Sequence, residues 1–545
     1  MKDIELPIGK RSWKYRLFEM LPAICSYTAV GLLVVLSLWN AIAASIYLLA
    51  IIITVLVRAI AIAWHTIHGY GRLQVAHKVD WRARLAELED VPQSLKNWHG
   101  RTSNEFGFKL HLNNLKNIAR SAEEFPKPSQ LKHVVIVAAY NESIDIIEPT
   151  IQSLVDTTID SKQLIIAFAY EERGGKDIAK TAKLLKAKYG RHFGEFYTVM
   201  HPTDLPDEVV GKGGNITYAG QYVAKQLKKQ GVNFSDVIVT SLDCDNHPHA
   251  SYFDYVSYEY IVHPNRKKLS YQPISLFLNN IWDVPAPMRV IATGNSFWNI
   301  ISAMRPHMLR NFASHSQPLD ALYEMDFWSK RTIVEDGHQY WRSYFHFKGD
   351  YGVTPIYVPI YQDAVLSDTY RKTLFAQFKQ LRRWSYGASD VPYVASHVFT
   401  KQRQVPFVEG TMKFFELLDG HVTLASISIL VAVGGWVPLL LNSESARSIS
   451  AHRLPDTVST LQQLALLGLC ISIFLSFKML PPRPERYKRS RNILMVAQWV
   501  LMPVTAICYG SLAAFNAQTH LLLGKYLDKF DVTEKAMITK SGRKK

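Results

Sequence analysis

The chain has 545 residues, too many for one ordinary domain, so two or more structural units are expected. Its formal net charge of +16 fits a nucleic acid, an anionic membrane surface or a phosphorylated substrate as partner. The basic residues stand beside apolar segments, as in Lys10-Arg11 and in the run from Arg483 to Arg491, and this favours a membrane over nucleic acid. The spacing of the four cysteines fits neither a disulfide framework nor a zinc site.

The first predicted element is a membrane hairpin over residues 1–64. No charged residue occurs from Met20 to Val57. Because one span needs about 20 apolar residues, this stretch accommodates two helices, with the turn at Trp39-Asn40 and both basic ends in the cytoplasm. A cleaved signal peptide is disfavoured, because the apolar stretch is too long and basic residues follow it.

The middle of the chain predicts an α/β domain inserted between transmembrane helices. Residues 65–130 are polar and irregular and are predicted to be a cytoplasmic linker with some helix. From residue 131 to residue 404 short apolar runs alternate with helical patterns, which predicts a mostly parallel sheet. The predicted strands are His133–Ala139, Gln163–Ala169, Glu195–Met200 and Asp236–Leu242, and helices are predicted at Lys176–Tyr189 and Ile216–Lys229.

Ligands of open α/β sheets bind beyond the carboxyl ends of the strands, and polar residues stand there in this chain. Asp243-Cys244-Asp245 follows the fourth strand. Two carboxylates at this spacing hold a divalent cation with the phosphates of a ligand, although a solvated turn that caps the next helix is the commoner use of such a triplet. Lys212-Gly213-Gly214-Asn215 precedes a helix and suits a phosphate, or else is an ordinary glycine turn; the Walker A pattern is absent from the sequence.

Two further motifs lie later in the same domain. Glu335-Asp336 suits a general base toward an acceptor hydroxyl, or else forms the acidic first turn of a helix. Gln380, Arg383 and Trp384 share one face of a predicted helix, where arginine binds pyrophosphate and an indole stacks on a sugar. The alternative for these three residues is an amphipathic helix at the membrane surface.

The C-terminal third returns to the membrane. Residues 405–418 are amphipathic and are predicted to form an interfacial helix. Spans are predicted near 419–441, 457–479 and 492–516 within a transmembrane region over 419–524, with the loop Ser443–Asp456 outside and a basic tail over 525–545. A full third span would put that tail outside, against the positive-inside trend, and Pro503 and Gly510 favour a re-entrant hairpin or two short segments instead.

Together these motifs, in this order, resemble the family 2 glycosyltransferases of the GT-A fold. The resemblance is strongest to the membrane-integrated branch that includes cellulose, chitin and hyaluronan synthases, and it covers roughly residues 131–400 in detail. The motifs that carry it are Tyr140-Asn141-Glu142, Lys212…Asn215, Asp243-Cys244-Asp245, Thr293-Gly294-Asn295, Glu335-Asp336 and the Q-x-x-R-W segment from Gln380 to Trp384. Many relatives carry an aspartate after the second strand, near the nucleobase, where this chain has Glu171 and Glu172.

The resemblance implies a role for each matching residue. It implies Asp336 as the catalytic base with Glu335 as a supporting carboxylate, and Asp243 and Asp245 as ligands of Mg²⁺ or Mn²⁺. The donor-binding residues that it implies are Tyr140, Asn141, Glu142, Glu171, Glu172, Lys212, Asn215, Asp243, Gln380 and Arg383. The acceptor-binding residues that it implies are Thr293, Gly294, Asn295 and Trp384.

The predicted function is an inverting hexosyltransferase in the inner or plasma membrane, a multi-pass protein with its catalytic domain in the cytoplasm. It would move a sugar from a nucleotide-sugar donor to a growing polysaccharide, in contact with membrane lipids and possible export partners and without nucleic acid. Transfer of a single sugar to a lipid or lipid-linked acceptor is the alternative. An inactive nucleotide-sugar-binding scaffold is the alternative from another class, and a transporter is disfavoured because the spans are few and lack inward charges.

Overall fold

The computed structural model describes residues 4–7, 9, 11–442 and 449–527. The chain begins with two long helices, α1 (Trp13–Trp39) and α2 (Ala41–Ala76), and it turns between them at the predicted position. Asn40 makes this turn, because its side-chain oxygen accepts hydrogen bonds from the N–H groups of Ile42 and Ala43 and so caps α2. At 36 residues, α2 is longer than a membrane span requires, and it extends beyond residue 64.

Residues 65–130 are more ordered than the sequence predicted. After α2 they form α3 (Trp81–Ala86), α4 (Val91–Trp98) and α5 (Phe108–Arg120). The Trp81 ring stacks on Tyr255 at 3.5 Å, and Leu85 and Leu115 are buried in the same apolar core as the sheet. The linker is therefore a helical layer on the α/β domain, held by a few large apolar residues spaced among polar ones.

The α/β domain contains an eight-stranded sheet among the described residues, in the order β3-β2-β1-β4-β7-β6-β8-β5. The strands are β1 (Lys132–Ala139), β2 (Leu164–Glu171), β3 (Glu195–His201), β4 (Val237–Asp243), β5 (His247–Pro248), β6 (Leu269–Leu276), β7 (Ser316–Pro318) and β8 (Gly352–Tyr361). The first four confirm the predicted strands to within two residues at each end.

The predicted mostly parallel sheet is not confirmed, because parallel and antiparallel pairings occur together. β1 to β4 pair in parallel, and so do β6 and β8, but β7 runs antiparallel to β4 and β6, and β5 runs antiparallel to β8. The sheet is therefore mixed. Strand direction depends on the path of the connecting segments, which apolar runs in the sequence do not reveal.

Helices cover the sheet on both faces. Side chains of β1 alternate between two cores, with Val135 and Val137 on one face and Val134 and Ile136 on the other. The helices of this domain are α6 (Ile144–Val155), α7 (Gly175–Tyr189), α8 (Lys212–Lys229), α9 (Tyr252–Val262), α10 (Ala286–Ala303), α11 (Leu319–Glu324), α12 (Glu335–His346), α13 (Tyr370–Ser385) and α14 (Asp390–Val398). The predicted helix at Ile216–Lys229 thus begins four residues earlier, at Lys212.

The C-terminal third is helical. Its helices are α15 (Phe407–Val433), α16 (Val437–Leu441), α17 (Ile449–Met479), α18 (Arg491–Ala497), α19 (Met502–Thr505) and α20 (Leu512–Leu523). Residues 407–418 of the predicted interfacial helix over 405–418 form the start of α15, which runs unbroken from Phe407 to Val433, and their interfacial position stays a prediction. Residues 443–448 of the predicted outer loop and residues 528–545 of the basic tail lie outside the described residues, and from Ile449 the loop region is already helical.

Among the described residues, four helical stretches are long and apolar enough to cross a membrane: Trp13–Trp39, Ala41–Ala76, Phe407–Leu441 and Arg491–Leu523. The remaining predicted span, 457–479, lies within α17. The last stretch continues through Pro503 and Gly510, but it changes from a 3-10 turn at Gln498–Leu501 to a π turn at Ala506–Ser511.

Candidate active site

The centre of the candidate site is the buried ammonium group of Lys212 at the start of α8. Its Nζ lies 2.9 Å from Asp243 Oδ1 at the end of β4 and 3.2 Å from Asp336 Oδ2 at the start of α12. Burial alone would lower the pKa of Lys212, but the charges of Asp243 and Asp336 outweigh it and hold the pKa above its ordinary value. Three motifs that are distant in sequence therefore meet around one cation.

Glu335 and Asp336 form the first turn of α12, and their environments differ. Asp336 is partly exposed, whereas Glu335 is 2 % exposed and its Oε2 has no hydrogen-bond partner among the described residues. Burial and then the charge of Asp336 raise the pKa of Glu335 to about 8, against the opposing charges of Lys212 and Arg383. Of the two carboxyl groups, Asp336 is thus the more accessible proton acceptor and Glu335 the buried one.

His315 is a buried neighbour of Asp336 that the sequence did not single out. Its Nδ1 lies 3.9 Å from Asp336 Oδ1 and 2.8 Å from the Phe312 carbonyl oxygen, and Trp328 Nε1 donates to its Nε2 at 3.2 Å. Burial lowers the pKa of His315. These contacts fit a neutral imidazole with its proton on Nδ1.

Asp243 and Asp245 present hard oxygen ligands at the edge of this cluster. Asp245 is only 6 % exposed, and its carbonyl oxygen accepts from Asn279 Nδ2 at 3.1 Å, so the triplet is not a solvated turn. The described residues include no group of three or more acidic, histidine or cysteine side chains that could hold a metal ion. Two carboxylates fit a Mg²⁺ or Mn²⁺ ion that takes its other ligands from water and phosphates.

Glycines let α8 start close to the sheet and to the α12 segment. A Cβ atom on Gly213 would lie 2.3 Å from the carbonyl oxygen of Ser329, a contact that no side chain tolerates. The amide of Asn215 donates to the carbonyl oxygens of Ala169 and Ala139, at 3.1 and 3.4 Å, and so ties the ends of β2 and β1 together. The sequence predicted that the Lys212–Asn215 segment precedes the helix. In the structure this segment is instead the first turn of the helix.

A buried chain of charges runs along the next strand ends. His201 at the end of β3 contacts Glu171 at 3.1 Å through Nδ1 and Glu208 at 2.9 Å through Nε2. Arg173 contacts Glu171 at 3.0 Å, and Lys330 contacts Glu208 at 3.2 Å. Burial lowers the pKa of His201, but its bonds to the two glutamates dominate and raise the pKa to about 9.

The loop after β1 lies beside this chain of charges. The side chain of Glu142 folds back to accept from the N–H of Tyr140 at 2.7 Å, and the Arg173 guanidinium lies 5.6 Å from the Tyr140 ring centre. A Cβ on Gly174 would lie 1.8 Å from the Tyr140 carbonyl oxygen, so only glycine fits there. Asn141 is exposed in this loop, and Glu172 accepts from the N–H of Thr203 at 2.9 Å.

The Q-x-x-R-W residues lie on one helix, α13, as predicted. Arg383 is close enough to Glu335 for its charge to act on that carboxyl group. Gln380 accepts from Gln377 at 3.0 Å, and Trp384 is 38 % exposed with its ring centre 6.0 Å from that of Phe277. The helix therefore joins the carboxylate cluster to a partly open aromatic surface.

Thr293, Gly294 and Asn295 lie in the middle of α10. The hydroxyl of the next residue, Ser296, accepts from the N–H of Phe277, so this helix lies on the Trp384 side of the site. The described contacts do not bring Thr293, Gly294 or Asn295 to Lys212. Their role toward an acceptor stays a prediction.

Sequence reasoning missed His315, His201 and Glu208. The first lies in Ser314-His315-Ser316, which carries no recognisable pattern, and Ser314 has a positive φ of 69°. For His201 the available signal was its position at the end of the third strand, where ligands of such sheets are expected, whereas Glu208 lies in the loop that follows.

Comparisons with known proteins found similar solved structures at low sequence identity. No protein-family model and no curated protein sequence matches the chain. Among solved structures, the chain is similar to a mannosyltransferase from Pyrobaculum calidifontis in complex with GDP-Man and Mn²⁺, with 14 % identity, a TM-score of 0.40, and coverage of 81 % of this chain and 100 % of that one.

It is also similar to S. aureus TarS residues 1–349 in complex with UDP-GlcNAc, with 12 % identity, a TM-score of 0.34, and coverage of 75 % of this chain and 95 % of that one. Likeness at this level establishes neither a shared fold nor a shared activity.

Proposed function

We propose that this chain is an inverting glycosyltransferase that transfers a sugar from a nucleotide-sugar donor to an acceptor at a membrane surface. The observation that carries the proposal is the position of Lys212 between Asp243 and Asp336. Lys212 thereby links Asp243, which together with Asp245 suits a metal-bound diphosphate, to Asp336, which suits proton abstraction.

The proposed reaction is one displacement at the anomeric carbon. The acceptor oxygen forms a bond to that carbon as the bond to the diphosphate breaks, and the acceptor proton goes to the Asp336 carboxylate. Lys212 and Arg383 supply positive charge where negative charge grows on the leaving diphosphate. A single displacement inverts the configuration, so an α-linked donor yields a β-linked product.

Asp243 and Asp245 would hold Mg²⁺ or Mn²⁺, which would neutralise diphosphate charge when bound. Gln380 and the loop that contains Tyr140, Asn141 and Glu142 would contact the donor, with Glu171 and Glu172 near its base. Trp384 would stack on the acceptor sugar, and Thr293, Gly294 and Asn295 would lie along the acceptor path. GT-A family 2 membership and a cytoplasmic α/β domain, in a multi-pass protein of the inner or plasma membrane, belong to this proposal.

The direct test incubates membranes that contain the full chain with a panel of labelled nucleotide sugars and analyses the products by mass spectrometry. We expect transfer from one or a few donors, and a loss of at least about 100-fold with Asp336→Asn. Asp326→Asn is the matched control, because Asp326 is an exposed aspartate that contacts Gln221 on the surface. Near-normal transfer by Asp336→Asn would remove that residue from the role of base.

The size of the product separates the two acceptor classes. We propose a growing polysaccharide as the acceptor, which predicts a ladder or a high polymer. A singly glycosylated lipid would instead support transfer to a lipid or lipid-linked acceptor. If no donor in the panel is consumed with Mg²⁺ or Mn²⁺ present, the scaffold alternative is favoured, and binding of nucleotide sugars without turnover would establish it.

A further inference from the structure

The C-terminal stretch Arg491–Leu523, here called the C-terminal segment, is long and apolar enough to cross a membrane. Whether the segment crosses depends on whether its two ends lie on the same side of the membrane. A crossing helix carries its ends to opposite faces of a hydrocarbon layer about 30 Å thick. Both ends of this segment are instead bound near the α/β domain.

The first end is fastened to the loop between β6 and α10. Arg486, just before the segment, makes two bonds to the Asp283 carboxylate at 2.6 and 2.8 Å, and Tyr487 donates to the same group at 2.7 Å. Arg491 donates to the Trp282 carbonyl oxygen at 3.1 Å. The chain therefore starts the segment on the surface of the α/β domain.

The second end is fastened to the start of α1 and to the end of α13. The Arg16 guanidinium donates to the carbonyl oxygens of Leu521 and Leu522, both at 3.0 Å, and so caps the last turn of α20. The N–H of Leu527 donates to the Tyr386 hydroxyl at 3.3 Å. Tyr386 follows α13 directly, so the segment also finishes at the α/β domain.

The contacts between these ends reach about as far as the middle of α1 and α15. Tyr27 and Thr519 share a hydrogen bond of 2.8 Å, and Gln518 Nε2 donates to the His421 carbonyl oxygen at 3.0 Å. Tyr27 lies at the middle of α1 and His421 at the middle of α15, and a Cβ atom on Gly387, just after α13, would lie 3.6 Å from the His421 ring. The opposite face of the helical bundle is marked by Asn40 and by Asn442, whose amide donates to the Ser37 carbonyl oxygen at 3.0 Å.

The direction of α17 shows on which side of the helical bundle the C-terminal segment begins. Val458 packs in one cluster with Leu48 and Ile52 in the first half of α2, and a Cβ atom on Gly468 would lie 3.8 Å from the Ala59 carbonyl oxygen. α17 therefore runs parallel to α2, which ends at the α/β domain. The chain has already returned to the domain side when the C-terminal segment begins.

We propose that the C-terminal segment begins and ends on the domain side and does not cross the membrane, so that α1, α2, α15 with α16, and α17 are the crossing helices. The changes of helical type between Gln498 and Ser511 suit a helical path that does not cross straight. This places Leu527 on the domain side, where the positive-inside trend puts a lysine-rich tail. The proposal is independent of sugar transfer.

Cysteine labelling in sealed vesicles tests this topology. In a full-length variant with the four native cysteines replaced by serine, single cysteines are introduced as Lys525→Cys, Lys225→Cys and Asn40→Cys, all at exposed positions. A membrane-impermeant maleimide is added to right-side-out and to inside-out vesicles. We expect Lys525→Cys to label in the same preparation as Lys225→Cys, and Asn40→Cys to label in the other one.

Labelling of Lys525→Cys together with Asn40→Cys would show that the segment crosses and would overturn the proposal. Labelling of Lys525→Cys in neither preparation before detergent is added would place that residue inside the membrane and would also overturn it. Wild-type-like extraction of each variant from the membrane, followed by full labelling in detergent, verifies that each cysteine is reactive.

Discussion

Replacing His201 by glutamine tests the buried charge chain beside the candidate donor site. In the native chain the His201 ring lies between Glu171 and Glu208 and is 7 % exposed. Glutamine keeps much of the volume and some hydrogen bonding but removes the positive charge. Two buried carboxylates then face each other, with Arg173 and Lys330 at their outer sides.

The size of the effect follows from the pKa of His201, which is raised from 6.5 to about 9. At about 1.4 kcal/mol per pKa unit, the charged ring stabilises the fold by on the order of 3 kcal/mol. Because the folded-state pKa is the higher one, this stabilisation is complete below pH 6.5 and is lost as the pH rises through about 9. For a domain of roughly 250 residues, 3 kcal/mol corresponds to a shift of about 6–12 °C in the unfolding midpoint.

The assay is thermal unfolding of the detergent-purified chain, followed by tryptophan fluorescence between about pH 6 and pH 10. We expect His201→Gln to unfold several degrees below wild type at neutral pH and to approach wild type at the alkaline end. His192→Gln, at an exposed histidine before the opposite end of β3, should match wild type throughout. Equal midpoints for His201→Gln and wild type at neutral pH would refute the charged-histidine reasoning.

Other predictions concern the centre of the site. Lys212→Met should abolish transfer and lower the unfolding midpoint by several degrees, since removing one partner of a buried ion pair costs about 3–5 kcal/mol. Lys225→Met, at an exposed lysine, should change neither transfer nor the unfolding midpoint. Retained transfer by Lys212→Met would contradict the role assigned to Lys212. Gly213→Ala should cost about 1–3 kcal/mol because its Cβ would meet a carbonyl oxygen at 2.3 Å, whereas Gly71→Ala, in open space, should be neutral or stabilising in the same unfolding assay. Chelation of divalent ions should stop transfer, and Asp245→Asn should raise the Mg²⁺ or Mn²⁺ concentration that half-restores it; transfer that persists in the chelator would remove the metal from the proposal.

The first four strands were predictable because a buried strand needs a short continuous run of apolar side chains, as in Val134 to Val137. The helix hairpin at Asn40 was predictable for a similar reason, since its apolar stretch is too long for one span. Motif positions followed from the strand ends. These features depend on local composition, which a single sequence contains.

Other features depended on contacts between distant segments. Helix α8 can start at Lys212 because Gly213, which has no side chain, lets it lie against the Ser329 carbonyl oxygen. The residues around Lys212 in the sequence do not reveal that Ser329 lies there. The unbroken helix from Phe407 to Val433 shows the same limit, because an amphipathic pattern does not mark where a helix ends.

By itself, the sequence determined which segments are apolar enough for the membrane or the sheet and which motifs follow the strands, because both follow from the order of side chains along the chain. Only the tertiary structure decided that Lys212 lies between Asp243 and Asp336, that His201 joins two buried glutamates, and that both ends of Arg491–Leu523 are bound near the α/β domain. Each of these depends on distances between residues far apart in sequence, which are set by how strands and helices pack. The pKa values follow the same rule, since burial and neighbouring charge exist only once the chain is folded.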